Sequence, residues 1–160
     1  MRRRIIIGLF ILLILAIAIF LLYRSGFREG QVILKIEAPE ETVSGEEIEY
    51  KLIIENKNNF DLKNTKLSFS YPDGSIGLNE NGQPLSSLLN NLSLNSLESR
   101  EKKEFNLRAV INGEKGETKK AKANLTYSPS NLNSVFKKNA EASTTISKVL
   151  APPRSRRPCR

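Results

Sequence analysis

The residue pair that most resembles a reactive site in this sequence is Ser134 and Lys137, which have the S-x-x-K spacing of serine acyl-enzymes. In such enzymes the lysine lowers the barrier to removing the serine proton, so that the hydroxyl can attack a carbonyl. The companion S-D-N and K-T-G motifs are absent from the sequence. We therefore predict that the protein is not an enzyme and keep a Ser134/Lys137 acyl-enzyme as a less favoured alternative.

The rest of the composition removes the common catalytic and metal-binding residue sets. There is no histidine, which excludes His-dependent triads and His-ligated zinc. The single cysteine, Cys159, allows neither a disulfide within the chain nor a multi-cysteine metal site. Asp61 and Asp73 are the only aspartates, too few for a D-x-D-x-D-G calcium loop. We expect no catalytic residue, no cofactor and no bound metal.

The net charge is concentrated at the two ends of the chain. The formal charge is +8, from 25 basic and 17 acidic residues. Seven basic residues are terminal arginines, which leaves 18 basic residues between them against all 17 acidic ones. A nucleic-acid-binding domain would gather basic and aromatic residues on one face. Here Lys and Glu are mixed along the same segments, so we expect no nucleic-acid partner.

The N-terminal segment is apolar over the length of a membrane span. The residues from Ile5 to Tyr23 carry no charge, and as a helix they would rise roughly 28 Å. The hydrocarbon core of a bilayer is about 30 Å thick. We therefore predict a transmembrane helix over residues 5–23, with Ile5 and Tyr23 at its ends and the lipid bilayer as its partner.

Two other interpretations of this segment stay open. A cleaved signal peptide would end in a small-x-small site, but the nearby triplet Ala16-Ile17-Ala18 is followed by further apolar residues. A core helix of a soluble protein would usually keep a polar stripe, which this segment lacks. For these reasons we favour an uncleaved signal-anchor.

The charges that flank the apolar segment predict its orientation. Short flanks rich in Lys and Arg tend to stay in the cytoplasm, and the basic tail over residues 1–4 is richer in arginine than the linker over 24–31. We therefore expect a single-pass protein of the cell membrane, with its N-terminus in the cytoplasm and its C-terminal domain outside. The residues that determine this topology are Arg2, Arg3 and Arg4.

The rest of the chain alternates apolar and polar residues with period two. In residues 47–54, Ile48, Tyr50, Leu52 and Ile54 fall on one face and charged residues fall mostly on the other, which predicts a half-buried strand. The same alternation recurs in Val32/Leu34/Ile36, Leu67/Phe69/Tyr71, Leu92/Leu94, Phe105/Leu107/Ala109/Ile111, Ala121/Ala123/Leu125/Tyr127 and Ala142/Thr144/Ile146. A helical period is not sustained anywhere in this region, although residues 84–89 could form one helical turn. We expect seven or eight strands.

Turn-forming residues separate these strands, as in Ser44-Gly45, Pro72-Asp73-Gly74 and Asn81-Gly82. Glycine, asparagine and aspartate tolerate the backbone angles that tight turns require. Many short strands within about 120 residues predict an all-β domain over 32–148, built as a two-layer antiparallel sandwich.

Four segments of this domain resemble a known family: Val43–Tyr50, Ile54–Asn58, Leu62–Leu67 and Tyr71–Gly74. They are similar to the conserved-repeat and CARDB-like immunoglobulin-type domains of prokaryotic envelope-anchored surface proteins. The resemblance implies an immunoglobulin-like β-sandwich, although Asn95 and Ser99 stand where the family usually has glycine. The residues that match the family pattern are Gly45, Tyr50, Asn56, Asn64, Pro72 and Gly74.

The last residues, 149–160, differ in composition from the rest of the chain. They contain four arginines and no lysine, together with proline and Cys159, whereas the preceding domain is rich in lysine and asparagine. Two interpretations stay open: a disordered basic tail, or an artefact of a shifted reading frame.

These features together favour a non-catalytic structural or protein-interaction module at the cell envelope, with an envelope protein of unknown identity as its partner. A pilin-like filament or envelope-assembly subunit is the alternative. It is less favoured because pilins carry an early glutamate in the apolar helix, and no acidic residue precedes Glu29 in this sequence.

Overall fold

A computed structural model of the chain describes residues 2–24 and 26–149. This part of the chain contains one N-terminal helix, α1 (Arg2–Arg24), a single 3-10 turn (Glu29–Gln31) and ten strands. The strands are β1 (Val32–Glu37), β2 (Glu41–Ser44), β3 (Glu46–Asn56), β4 (Leu62–Ser70), β5 (Ser75–Leu78), β6 (Leu89–Ser93), β7 (Ser96–Leu97), β8 (Lys102–Ile111), β9 (Thr118–Pro129) and β10 (Phe136–Val149).

The strands form two sheets that face each other. The first sheet has the strand order β1-β3-β8-β5 and the second has the order β2-β10-β9-β4-β6, with β7 also paired to β4. The predicted alternation in β3 is confirmed, since Ile48, Tyr50, Leu52 and Ile54 are all buried. Period two places one face of each strand against the opposite sheet. The predicted all-β sandwich is therefore the observed architecture.

One pair of strands departs from the predicted antiparallel arrangement. Strands β2 and β10 pair in parallel. The chain passes from the first sheet to the second between β1 and β2, where the carbonyl of Pro39 accepts a hydrogen bond from the Thr144 hydroxyl at 2.8 Å. The carbonyl of Glu40 accepts another from the Thr145 N–H, also at 2.8 Å. This crossing sets β2 beside β10 in the same direction.

The number of strands exceeds the prediction because β2, β5 and β7 are only four, four and two residues long. Strands this short show no sustained alternation. The helical turn predicted over 84–89 is wrong. Leu85 N–H bonds to the Gly77 carbonyl at 2.7 Å, and the Leu88 carbonyl accepts from Tyr71 N–H at 2.9 Å. The backbone of this segment therefore bonds to its neighbours instead of to itself.

The core lies between the sheets and is rich in aromatic rings. Tyr50, Phe69 and Tyr127 are fully buried. The ring of Phe69 lies 5.4 Å from that of Tyr50 and 5.0 Å from that of Tyr71. Such tilted and edge-on contacts add to the stabilisation that burial of the rings provides.

Helix α1 contains the whole segment predicted to be helical. Its described side chains, those of residues 6–20, are exposed, and the large apolar ones range from 49% exposed at Ile17 to 66% at Leu12. Within the part of the chain that the structure describes, no helix is long and apolar enough to qualify as a membrane span. The transmembrane role predicted for residues 5–23 therefore stays a proposal.

Candidate functional site

The positions that match the family pattern lie apart from one another and do not form one site. Gly45 and Gly74 occupy turns with φ of 87° and 76°, which glycine adopts without steric cost. Asn64 has φ of 50°, where the pairing of β4 with β9 shifts register. The Pro72 carbonyl accepts hydrogen bonds from the backbone N–H and the hydroxyl of Ser75, at 3.2 and 2.6 Å. These residues shape the backbone.

Tyr50 belongs to the core. Its hydroxyl is buried and has no hydrogen-bond partner among the described residues. The neighbouring Thr144 hydroxyl donates to the Pro39 carbonyl instead. Burial raises the pKa of Tyr50 to about 12. This tyrosine is a packing residue with its proton firmly held.

Asn56 holds together the loops at one end of the sandwich. Its side chain is fully buried, and its Nδ2 donates to the carbonyls of Phe60 and Glu98, at 2.7 and 2.9 Å. Its Oδ1 accepts from the Asn58 N–H at 3.1 Å. The β3–β4 loop and the β7–β8 turn are therefore fixed to each other through one amide. We call this end of the sandwich the Asn56 end.

The segment predicted as a linker is partly docked on the Asn56 end. The Asn58 side chain bonds to both backbone groups of Arg28: its Oδ1 accepts from the N–H at 2.9 Å, and its Nδ2 donates to the carbonyl at 3.2 Å. The ring of Phe27 lies 5.0 Å from Phe136 and 6.3 Å from Tyr127. This docking does not follow from the alternation of apolar residues or from the turn residues; the signal for it in the sequence is a lone aromatic residue, Phe27, in an otherwise polar linker.

The predicted topology determinants lie where side chains are not described. The backbones of Arg2, Arg3 and Arg4, and those of Ile5 and Tyr23, belong to α1. The tail predicted over 149–160 falls outside the described residues from Leu150 onward, and Cys159 falls there too.

The candidate acyl-enzyme pair does not form a hydrogen-bonded unit. Ser134 lies in the β9–β10 loop and Lys137 near the start of β10, and both side chains are exposed. Neither side chain makes a hydrogen bond or ion pair with another described residue. An activated serine needs its base within hydrogen-bond reach. In residues 2–24 and 26–149, moreover, no group of three or more His, Cys, Asp or Glu side chains could hold a metal ion.

A groove of about 870 Å³ opens on one side of the sandwich. One wall is β8 of the first sheet, and the other is the segment that runs from the end of β5 to β6. Its floor is apolar, and polar side chains from both walls surround it. The apolar lining residues are Leu78, Leu85, Leu92, Phe105 and Leu107. Leu92 and Phe105 are only partly buried, so apolar surface is accessible from solvent here. A concave apolar floor with a polar rim is the usual form of a binding site.

Strand β8 has an unpaired stretch of edge along this groove. On one side β3 pairs with residues 102–111, but on the other β5 reaches only residues 108–111. The N–H of Asn56, at the end of β3, donates to the carbonyl of Glu101 at 2.9 Å, so residue 101, just before β8, directs its main-chain groups toward β3. Main-chain groups alternate sides along a strand. The odd-numbered residues of β8 therefore bond to β3, and the main-chain groups of the even-numbered residues face the groove. No described residue bonds to the main chain of Glu104 and Asn106 on that side.

The rim of the groove carries fixed charges. Arg108 pairs with Glu47 at 3.1 Å, and its Nη2 donates to the carbonyls of Asn79 and Glu80 at 3.0 and 2.7 Å. Hydrogen bonds from the ammonium groups of Lys102 and Lys51 lower the pKa of Glu104 to about 2. These contacts hold the rim in place around the open edge of β8.

Comparison with known proteins defines the fold. Protein-family models give no match to the chain, and no curated protein matches it. Among solved structures, the CARDB domain of a Pyrococcus furiosus protein, crystallised in complex with di-metal ions, has a TM-score of 0.50 at 18% identity. That match covers 75% of this chain and 94% of the other.

A second similar structure is AvmM, which catalyses macrocyclisation in alchivemycin A biosynthesis. Its TM-score is 0.51 at 12% identity, over 79% of this chain and 93% of the other. At such identities the likeness shows the fold alone. The chain therefore has a CARDB-like fold of immunoglobulin type, as the sequence resemblance implied.

Proposed function

We propose that this protein is a single-pass, membrane-anchored β-sandwich whose domain lies outside the cytoplasm and binds another envelope protein without catalysing a reaction. The observation that supports binding most directly is the groove beside β8. There an accessible apolar floor adjoins the unpaired main-chain groups of Glu104 and Asn106.

The groove suits an extended segment of a partner, added as a strand to β8. An exposed strand edge offers main-chain donors and acceptors, which give affinity, while pockets beside it select side chains. A strand laid along residues 102–107 would bond to the even-numbered residues and turn alternate side chains toward Leu92 and Phe105. We therefore expect the partner segment to alternate apolar and polar residues.

The acidic part of the rim favours basic residues on the polar face of that segment. Glu49 lines the groove and makes no ion pair with another described residue. Like charges across adjacent strands are destabilising, whereas opposite charges contribute roughly 0.2–1 kcal/mol per pair. Because β8 lies between β3 and the added strand, a Lys or Arg on that strand would lie opposite Glu104 of β8, with Glu49 one strand further away, and would contribute specificity more than affinity.

The membrane anchor is supported by the character of α1. The helix contains 19 uncharged residues after an arginine-rich start, and its described apolar side chains are exposed on all sides. A helix whose described side chains are apolar and exposed all round is suited to lipid. The three arginines at its start favour a cytoplasmic N-terminus.

Photo-crosslinking from the groove tests the proposed binding. A photoreactive amino acid at Glu104 should capture a partner in intact cells, whereas the same residue at Lys35, on the far edge of the first sheet, should not. Asn106→Pro removes one main-chain donor that faces the groove and should abolish the crosslink. Asn106→Ala, which keeps that donor, should preserve it.

The outcomes of this experiment separate the alternatives. Equal capture from Glu104 and Lys35, or equal loss in both Asn106 variants with the fold intact by circular dichroism, would refute strand addition at β8. A crosslinked product of two copies of this chain would instead favour the filament or envelope-assembly subunit.

A further inference from the structure

The loop between β9 and β10, residues 130–135, is an exposed segment with an unusual composition. Its sequence, SNLNSV, carries no charge, and two of its six residues are large and apolar. Leu132 is 40% exposed and Val135 is 67% exposed. Exposed apolar residues cost free energy in water, roughly 25 cal/mol per Å² that burial would recover. Two of them in one short loop give the end of the domain a small apolar tip, which is suited to contact with an apolar phase.

The loop lies at the Asn56 end of the sandwich, where the N-terminal helix joins. Its base is formed by Tyr127 and Phe136, which face each other across β9 and β10 and whose rings stack 5.9 Å apart. Phe27 packs against both rings. The residue that seals the base of the loop therefore belongs to the segment that leads out of α1.

The chain between the helix and this contact is very short. Helix α1 ends at Arg24 and Phe27 is already docked, which leaves three peptide units between them. Fully extended, three units span about 11 Å. The part of the eight-residue linker, residues 24–31, that precedes the docked Phe27 is thus less than half of its length. If α1 crosses the bilayer, the base of the β9–β10 loop must lie close to the membrane surface.

The residues that follow the loop suit a lipid headgroup. Lys137 and Lys138 follow Phe136 at the start of β10, on opposite faces of the strand, and neither makes an ion pair with another described residue. Lysine next to an exposed apolar tip is the usual combination for interfacial binding: the apolar side chains enter the headgroup and acyl boundary, and the amines contact phosphates.

We propose that the tip of the β9–β10 loop, Leu132 and Val135, inserts into the lipid interface beside the anchor, with Lys137 and Lys138 facing lipid phosphates. The inference rests on the proposed membrane anchoring by α1. Its consequence is a fixed orientation of the domain. The anchor, the docked Phe27 and the loop would together hold the Asn56 end of the sandwich at the membrane, with the long axis of the sandwich pointing away from it. The β8 groove would then face sideways, toward neighbouring envelope proteins.

The absence of tryptophan from the sequence allows a direct test. The full chain carrying Val135→Trp is reconstituted in vesicles of phosphatidylcholine and phosphatidylglycerol with brominated acyl chains. A tryptophan at the interface should emit at shorter wavelength and lose fluorescence to the bromine. Leu132→Trp should behave in the same way. Ile76→Trp is the matched control, since Ile76 is 44% exposed in β5 at the opposite end of the sandwich.

Quenching in the Leu132→Trp and Val135→Trp variants but not in the Ile76→Trp variant would support the inference. Flotation of the same vesicles separates its failure from that of the anchor. If the chain floats with the vesicles but the Val135→Trp variant is quenched no more than the Ile76→Trp control, the loop insertion is refuted and the membrane anchor is not. If the chain does not float, both are refuted. Equal quenching of the Val135→Trp variant when Lys137 and Lys138 are both replaced by Gln would refute the role given to the two lysines.

Discussion

Replacing Asn56 by alanine should destabilise the domain much more than replacing any exposed asparagine. The Asn56 amide is fully buried and makes three hydrogen bonds with main-chain groups of three different residues. A typical hydrogen bond contributes about 0.5–1.5 kcal/mol, and partners left unsatisfied add to the loss. We therefore expect Asn56→Ala to lower the free energy of unfolding by about 2–4 kcal/mol.

Urea unfolding of a fragment spanning residues 26–149 measures this loss, provided that the slope of the free energy with urea stays constant. Asn59→Ala is the matched control, because among the described residues the Asn59 side chain accepts only from the exposed guanidinium of Arg100, at 2.8 and 3.1 Å. Its cost should be within about 0.5 kcal/mol. Equal costs at the two positions would refute the role of Asn56 in fixing this end of the sandwich.

Three further predictions concern the folded domain. Leu52→Ala should lower the free energy of unfolding by about 2–5 kcal/mol, because Leu52 is fully buried. Lys51→Ala should lower it by under about 0.5 kcal/mol, because Lys51 is on the outer face. Equal losses in urea unfolding would contradict the period-two assignment of β3. A fragment over 30–149 should melt at a lower temperature than one over 26–149, since it lacks the docked segment; identical melting curves would show that this docking contributes nothing. Burial raises the pKa of Tyr127 to about 12, so the folded state keeps a proton that the unfolded state loses near pH 10, and stability should fall as pH rises between these values. Tyr127→Phe should lose less stability over that range in a pH series of melting curves, and an identical alkaline loss would exclude this tyrosine as a cause.

The long strands could be predicted from the sequence because burial on one face imposes period two over many residues. Strand β3, with four alternating apolar residues, is the clearest case. Short strands such as β5 could not be predicted, since four residues contain too few repeats and their pairing depends on β8. The segment after Asn81-Gly82 was misassigned for a related reason: its hydrogen-bond partners, such as Gly77, are supplied by the tertiary fold.

The candidate site was less accessible to sequence analysis than the fold. The groove exists because β5 stops short of the unpaired half of β8, and no local pattern shows where one strand ends relative to another. The docking of the linker depends on Asn58, which reads as an ordinary turn residue in an asparagine-rich loop. Family resemblance identified Asn56 as a pattern position, but its role in joining two loops appears only in three dimensions.

The measurement that tests the central claim most directly is the accessibility of the sandwich from outside the membrane. In a Cys159→Ser background the chain has no cysteine, so Lys35→Cys, at an exposed position of β1, gives a single thiol on the domain. A membrane-impermeant maleimide added to intact spheroplasts should label it fully, while the labelled protein stays in the membrane fraction with the N-terminal residues of α1 retained. Labelling only after lysis, or a mature N-terminus beyond Ala18, would contradict the proposed anchored and extracytoplasmic domain.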